Sequence, residues 1–347
     1  MPRLRTASSL LAKGSFDGQG LGLLRPLLWS LSLLWQAATW LRRRLVKPAE
    51  LPLPLIAVGN ASVGGQGKTP TVLAVAELLR SEFRSDEIFC LSRGYGGEFI
   101  GPVEVIPALH TAQLVGDEPL LLSAQFRTIV SRFRPSGALL AHRSGARIIV
   151  MDDGLQNPNI RPDLAILVID GGSNSRNLGI IPNGPMREPL GTALRRVQAV
   201  VLIGEDTGNW NRIIASLAPQ VPIFAASLVP TPESLQQVAG SRIIPFAGIG
   251  RPQKFFDTLS RTAAETVKAY SFPDHHLYQP AEIAKLQQEA SDHQARLVTT
   301  TKDYYRLTPE LRHKITPFAV VLEIQERSRL VSMIIKIAGK AETNEAN

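Results

Sequence analysis

Residues 51–80 read LPLPLIAVGNASVGGQGKTPTVLAVAELLR, and the order of the parts decides the fold. The apolar run 51–59, with prolines at its start, suits a buried parallel strand reached from a loop. Residues 69–80 carry alanine and leucine at helical spacing, with Pro70 in the first turn, where a missing amide costs nothing. Between them stands Ser62-Val63-Gly64-Gly65-Gln66-Gly67-Lys68-Thr69. Its glycines let successive amides point at phosphate oxygens, and the start of the helix adds positive potential. Lys68 is placed to pair with β- and γ-phosphates, and Thr69 to ligate Mg2+. Ser62 occupies a position where the strict pattern has glycine, but the strand-loop-helix setting carries the reading. A nucleotide site is expected here.

Apolar runs at 88–91, 128–130, 148–151, 164–169 and 199–203 alternate with helical stretches such as 119–126 and 136–143. That alternation predicts an α/β fold, a P-loop NTPase-like parallel sheet with helices on both faces. The pattern resumes with strands at 243–247, 296–299 and 318–324 and helices near 253–261 and 280–291, so a second, smaller α/β domain is expected. The expected division is an N-terminal segment 1–50, a P-loop domain 51–165, a second domain 166–316, and a return strand with a C-terminal helix or tail 317–347. Residues 340–347 read as a frayed polar tail.

A length of 347 residues fits roughly two domains. The single cysteine, Cys90, excludes an internal disulfide and a cysteine metal cluster, and fits a reducing compartment. Of the net charge of +8, residues 1–50 hold +6, from Arg3, Arg5, Lys13, Arg25, Arg42, Arg43, Arg44 and Lys47 against Asp17 and Glu50. These cations flank an uncharged run, 26–41, that holds Trp29, Trp35 and Trp40. A nucleic-acid surface would spread its cations along a groove, so no nucleic-acid partner is expected. The run is shorter than the roughly 20 residues a spanning helix needs. At helical spacing Ser32, Gln36, Thr39 and Arg43 form a polar stripe opposite Leu27, Leu31, Leu34, Ala38, Leu41 and Leu45. With tryptophans and flanking arginines, this amphipathic helix reads as an anchor lying on an anionic membrane surface. A core helix is the alternative, and Arg42 to Arg44 stand where a signal peptide would need small residues.

Residues 147–154, RIIVMDDG, end an apolar run on two acids, and Asp152 or Asp153 is expected to face a metal. In Gly116-Asp117-Glu118-Pro119, Asp117 suits either a helix N-cap or a catalytic base. In Asp274-His275-His276 a carboxylate beside a histidine can set its tautomer. Arg93 in 92–97 and Arg187 in 182–189 lie among glycines or prolines, which suits phosphate recognition or a structural ion pair.

In this order, VGNASVGGQGKTP, LSRGYGG, GDEP, VMDDGLQ, GPMREP, FAGIGRPQKFF, FPDHHLY and VTTTKD closely resemble the tetraacyldisaccharide 4′-kinases, the lipid A 4′-kinase family, over about residues 20–325. The resemblance implies ATP and Mg2+, and transfer of the γ-phosphate to the 4′-hydroxyl of an acylated disaccharide 1-phosphate lipid. It also implies work at the cytoplasmic face of the inner membrane as a peripheral or monotopic protein. Residue by residue, it implies Asp117 and His275 as a catalytic pair, with Arg187 in the REP loop. Ser62, Val63, Gly64, Gly65, Gln66, Gly67, Lys68 and Thr69 would hold ATP. Thr69, Asp152, Asp153 and Glu188 would serve the metal, Gln156 would lie nearby, and Arg134 would meet phosphate. Gln66 replaces a common threonine and is expected to act through its backbone amide; Ser175-Arg176-Asn177-Leu178 stands where a GFGN-like loop is usual. The rival reading is a membrane-associated P-loop ATPase of the partitioning or targeting type, which usually carries a second lysine at the position of Val63. Oligomeric state is not fixed by these residues.

Overall fold

The protein was analysed as a computed structural model, which describes residues 25–345. Arg3, Arg5, Lys13 and Asp17 of the N-terminal charge cluster, and Ala346 and Asn347, lie outside the described residues.

The strands are β1 (Leu55–Gly59), β2 (Ile88–Ser92), β3 (Val103–Glu104), β4 (Arg127–Val130), β5 (Ile148–Asp152), β6 (Leu164–Asp170), β7 (Ala199–Ile203), β8 (Ile223–Pro230), β9 (Arg242–Ala247), β10 (Glu265–Thr266), β11 (Tyr270–Ser271), β12 (Arg296–Thr300), β13 (Ile315–Phe318) and β14 (Val320–Ile324). Among the described residues one sheet has nine strands in the order β14-β8-β7-β6-β1-β5-β2-β4-β3, and a smaller one runs β10-β9-β12-β13 with β11 beside β9. β1 pairs with β6, β6 with β7, β7 with β8 and β2 with β4, all in parallel, while the short β3 lies antiparallel on β4. The expected α/β architecture with a second, smaller sheet is what the chain adopts.

Two compact units can be distinguished. The first holds residues 25–71, 150–226 and 324–345, and the second 72–149 and 227–323. In the first, every residue of β1 and β6 is buried, as a parallel strand covered on both faces requires. In the second, Ile244, Phe246, Ile283, Leu286 and Leu297 form a core under the helix Pro280–Asp292, each side chain contributing about 1.5–3 kcal/mol by leaving water.

Three boundaries differ from expectation. The division expected after residue 165 falls inside β6, where Ile56 faces Leu164 and Gly59 faces Leu167 across the ladder, and β7 continues the same sheet. The single strand expected at 318–324 is two strands broken at Ala319, β13 in the small sheet and β14 in the large one. Residues 340–345 are helical rather than frayed, closing the helix Arg327–Glu345.

The expected N-terminal helix runs Arg25–Leu45, and its orientation is the reverse of a core helix. Ser32 is buried and Gln36, Thr39 and Arg43 are half-buried, while Leu27, Trp29, Leu34, Trp35, Trp40 and Leu45 are exposed. The polar stripe thus faces protein. Ser32 Oγ donates to the Ile180 carbonyl at 2.7 Å, Trp35 Nε1 to the Arg187 carbonyl at 3.1 Å, and Arg43 Nη1 to Glu188 at 3.0 Å. No described helix is long and apolar enough to cross a membrane.

Candidate functional site

The sequence-predicted residues fall into two groups, one in each unit. In the first unit, β1 delivers the chain into the loop 62–69, and the helix Lys68–Leu78 begins at its end. The loop is braced from outside. Val63 N donates to the Pro185 carbonyl at 2.9 Å, and Arg187 N to the Ala61 carbonyl at 2.7 Å, so residues 184–187 run beside its start. Gly64 and Gly67 have φ of +102° and +85°, which only glycine adopts without strain. A Cβ on Gly64 or Gly65 would meet no atom within 4 Å, leaving these amides approachable by an anion. Gln66 does more than lend its amide: its buried side chain accepts from Asp170 N at 2.9 Å, tying the loop to the end of β6.

Lys68 Nζ lies 3.3 Å from Asn60 Oδ1 and 3.7 Å from Asp153 Oδ1. Asp153, held at φ +51° just after β5, also receives Arg187 Nη1 on both carboxylate oxygens, at 2.8 and 2.9 Å. Gln156 Nε2 donates at 2.9 Å both to the Asn60 carbonyl and to Glu188 Oε1. Asp152, at the end of β5, is 1% exposed. The sequence therefore brings Lys68, Asp153, Gln156, Arg187 and Glu188 into one network.

Within that network Glu188, expected to serve the metal, has both carboxylate oxygens engaged by side chains of the protein. It is 3% exposed, with Oε2 taken by the guanidiniums of Arg43 and Arg196 and Oε1 by Gln156. Burial opposes its ionisation, and these donors outweigh burial and hold the carboxyl below its usual range. It links Arg43 of the N-terminal helix with Arg196 and Gln156. Arg134 is likewise inside the protein, 2% exposed, donating to the Ser131 carbonyl at 2.7 Å.

In the second unit, Gly116 at φ +91° turns the chain so that Asp117 opens the helix Asp117–Ser123 rather than capping it. Its side chain turns to other partners. His275 Nδ1 is 3.1 Å from Asp117 Oδ2 and 3.5 Å from Arg306 Nη2. A guanidinium only donates, so the closer carboxylate assigns the proton to Nδ1. His275 sits at φ +58°, its amide donating to the Gly248 carbonyl at 3.1 Å, with Tyr95 edge-on to its ring. His276 belongs elsewhere, stacked on Phe272 with Nε2 2.9 Å from Glu282.

Sequence reasoning missed the cations here. Arg306 Nε and Nη2 both reach Asp117 Oδ2 at 2.6 Å, and Lys302 Nζ lies 3.8 Å from that oxygen and 3.2 Å from Glu118. Burial works against the Asp117 carboxylate, but the His275 hydrogen bond with the Lys302 and Arg306 charges prevails and holds it far below the usual carboxylate range. The available signal was the four-residue spacing of Lys302 and Arg306, which puts both on one face of the helix Thr301–Arg306.

Residues 24–338 match the protein-family model described as LpxK, tetraacyldisaccharide-1-P 4′-kinase. The chain is 46% identical over 288 residues to a tetraacyldisaccharide 4′-kinase of Methylorubrum extorquens, covering 83% of this chain and 87% of that one. It is 43% identical over 332 residues to one of Rhodospirillum centenum, covering 94% and 96%. Among solved structures it is similar to the "apo" form of LpxK from Aquifex aeolicus in complex with ATP, with 25% identity, a TM-score of 0.71, and coverage of 91% of this chain and 99% of that one.

Proposed function

The chain belongs to the tetraacyldisaccharide-1-phosphate 4′-kinase family, and from that premise we propose how its two groups of residues divide the work. It is an ATP-dependent kinase of lipid A 4′-phosphorylation. The partitioning-type ATPase reading loses its support, since the family covers nearly the whole chain and Val63 stands where that class has lysine.

Residues 62–69 hold the phosphates of ATP through their amides and Lys68, whose ammonium is presented by Asn60 and Asp153. Arg187, paired with Asp153, is a second cation available to the transferring phosphoryl group. The donor set fits a magnesium ion: Thr69 offers a hydroxyl and Asp152 a buried carboxylate, hard oxygens of the kind Mg2+ prefers, with nucleotide phosphates completing the shell. Such an ion would neutralise charge between the β- and γ-phosphates. Asp153, engaged by Arg187 and Lys68, is assigned to orienting those cations.

On the acceptor side, Asp117 takes a hydrogen bond from the 4′-hydroxyl and so orients its oxygen for attack. A carboxylate held this far below its usual range is a weak proton store. That suits a loose phosphoryl-transfer transition state, in which the hydroxyl proton leaves late and alignment matters more than basicity. As the new P–O bond forms and the bond to ADP breaks, the proton passes to the Asp117–His275 pair. The observation that carries this reading is the Asp117–His275 contact at 3.1 Å. The protein lies on the cytoplasmic surface of the inner membrane through the exposed apolar face of the helix Arg25–Leu45.

Purified protein with labelled ATP, Mg2+ and the tetraacyldisaccharide 1-phosphate in detergent micelles should yield phosphorylated lipid. Lys68→Ala and Asp117→Ala should lose nearly all of it with folding intact, and a full-rate Asp117→Ala enzyme would remove Asp117 from the mechanism. Flotation with anionic vesicles should be lost when Trp29, Trp35 and Trp40 are all changed to serine; unchanged flotation would sink the membrane assignment.

A further inference from the structure

The cations and the histidine around Asp117 crowd onto one of its two oxygens. Arg306 straddles Oδ2 with Nε and Nη2 at 2.6 Å, His275 Nδ1 stands 3.1 Å away and Lys302 Nζ 3.8 Å. Arg306 is itself fixed at its other end. Nη1 donates to the Gly248 carbonyl at 2.5 Å and to Asp303 Oδ1 at 2.7 Å. Asp303 is completely buried, and its Oδ1 also accepts from the Tyr278 hydroxyl at 3.0 Å and Gly248 N at 3.1 Å, while Thr300 Oγ1 donates to Oδ2 at 2.7 Å. The Gly248 carbonyl that takes Arg306 also takes the backbone amide of His275. One guanidinium therefore ties together the carboxylate, the histidine's backbone and a buried anchor in the second unit.

We propose that Arg306 is the positioning residue of the acceptor half-site: by pinning Oδ2 it turns Asp117 into a one-sided acceptor whose Oδ1 faces the sugar hydroxyl, with Asp303 and Tyr278 holding Arg306 in place. The proposal rests on the reading of Asp117 given above. The geometry demands arginine, since the planar fork serves Oδ2 along one edge and Asp303 with Gly248 along the other. A lysine keeps the charge but reaches one partner at a time, and Asp117 is then free to rotate.

The test is Arg306→Lys in the full-length enzyme, assayed in micelles. A misplaced acceptor predicts a kcat loss on the order of 100-fold, while KM for ATP and affinity for a fluorescent ATP analogue stay within about threefold, a change worth well under 1 kcal/mol. The acid limb of the kcat/KM profile should move to higher pH, because a mobile ammonium favours the Asp117 carboxylate less. Wild-type kcat with an unmoved acid limb would overturn the proposal. Should Arg306→Lys not fold, Tyr278→Phe removes one hydrogen bond from the anchor, and a kcat loss of roughly fivefold is expected from a bond of ordinary net strength; unchanged kcat overturns it equally. Asp117→Asn run alongside separates the failures. If that enzyme is fully active, Asp117 and this proposal fall together; if it is dead beside a fully active Arg306→Lys enzyme, the proposal falls alone.

Discussion

Glu188→Ala tests whether the N-terminal helix and the phosphate loop are one structural unit. The carboxylate is 3% exposed and answers two guanidiniums, Arg43 at 3.0 Å and Arg196 closer still. Deleting it leaves two like charges facing each other and removes the acceptor of Gln156. Removing one partner of a buried ion pair costs about 3–5 kcal/mol. The Arg43 and Arg196 side chains keep 21% and 35% of their exposure, so water recovers part of that loss and about 3 kcal/mol is the working figure. If all 347 residues unfold together at about 2.1 cal/mol/K each, the melting temperature falls by about 4 °C. Circular-dichroism melts in detergent buffer, with ATP-analogue titration on the same samples, read both ends of the clamp. Arg43→Ala should be coupled to Glu188→Ala by about 1–2 kcal/mol in a double-mutant cycle. A Glu188→Ala protein that melts within a degree of wild type, or losses that simply add, would refute the clamp.

Gly67→Ala should weaken ATP-analogue binding about tenfold or more, since the position has φ +85° and a Cβ would lie 2.6 Å from Ile203 Cδ1 and left-handed backbone costs an alanine about 1–2 kcal/mol; wild-type affinity by titration calorimetry would contradict the cradle geometry. Asp117 and Glu188 both have carboxyls held below their ordinary values, so the stability they give is whole above about pH 4 and drains as pH falls through their folded values. The melting temperature should drop as pH falls below about 4, where unfolded carboxyls protonate while these two still resist, and drop less in a Glu188→Gln, Asp117→Asn double variant. Parallel pH curves for the two proteins would count against the assignment.

The phosphate loop was legible because its meaning is local: glycine, lysine and threonine at fixed offsets between a strand and a helix need no distant partner. The alternating apolar runs gave the parallel sheet for the same reason. Asp117 and His275, 158 positions apart by number, were each candidates on local grounds but were paired by resemblance alone, and the structure brings them within 3.1 Å. What stayed hidden is long-range electrostatics. Arg306 meets Asp117 across the second unit, and the spacing in TTKDYYR puts Lys302 and Arg306 on one helix face without naming the carboxylate they meet. The stripe Ser32, Gln36, Thr39, Arg43 was visible as polar, yet periodicity cannot say whether a polar stripe faces water or finds carbonyls and a carboxylate on its own protein, as Ser32 and Arg43 do. The pairing of Glu188 with two arginines stayed hidden because they lie 145 residues before it and eight after.

That inverted helix has a thermodynamic consequence. A helix that used its apolar side both for docking and for lipid would have to let go of the protein before it could take hold of a bilayer. Here the two jobs are largely separated: Ser32 and Arg43 bond Ile180 and Glu188 on one side, leucines with Trp29 and Trp40 occupy the other, and Trp35 stands at the border, half exposed with its Nε1 on the Arg187 carbonyl. Lipid taken up on that side, as proposed above, would act on the docked helix as a ligand that binds the native state and leaves the Ser32 and Arg43 contacts in place, adding stability by mass action. Vesicles should raise the melting temperature and tighten the arrangement of Glu188, Gln156 and Asn60 behind Lys68, with no undocking step between the aqueous and the adsorbed enzyme.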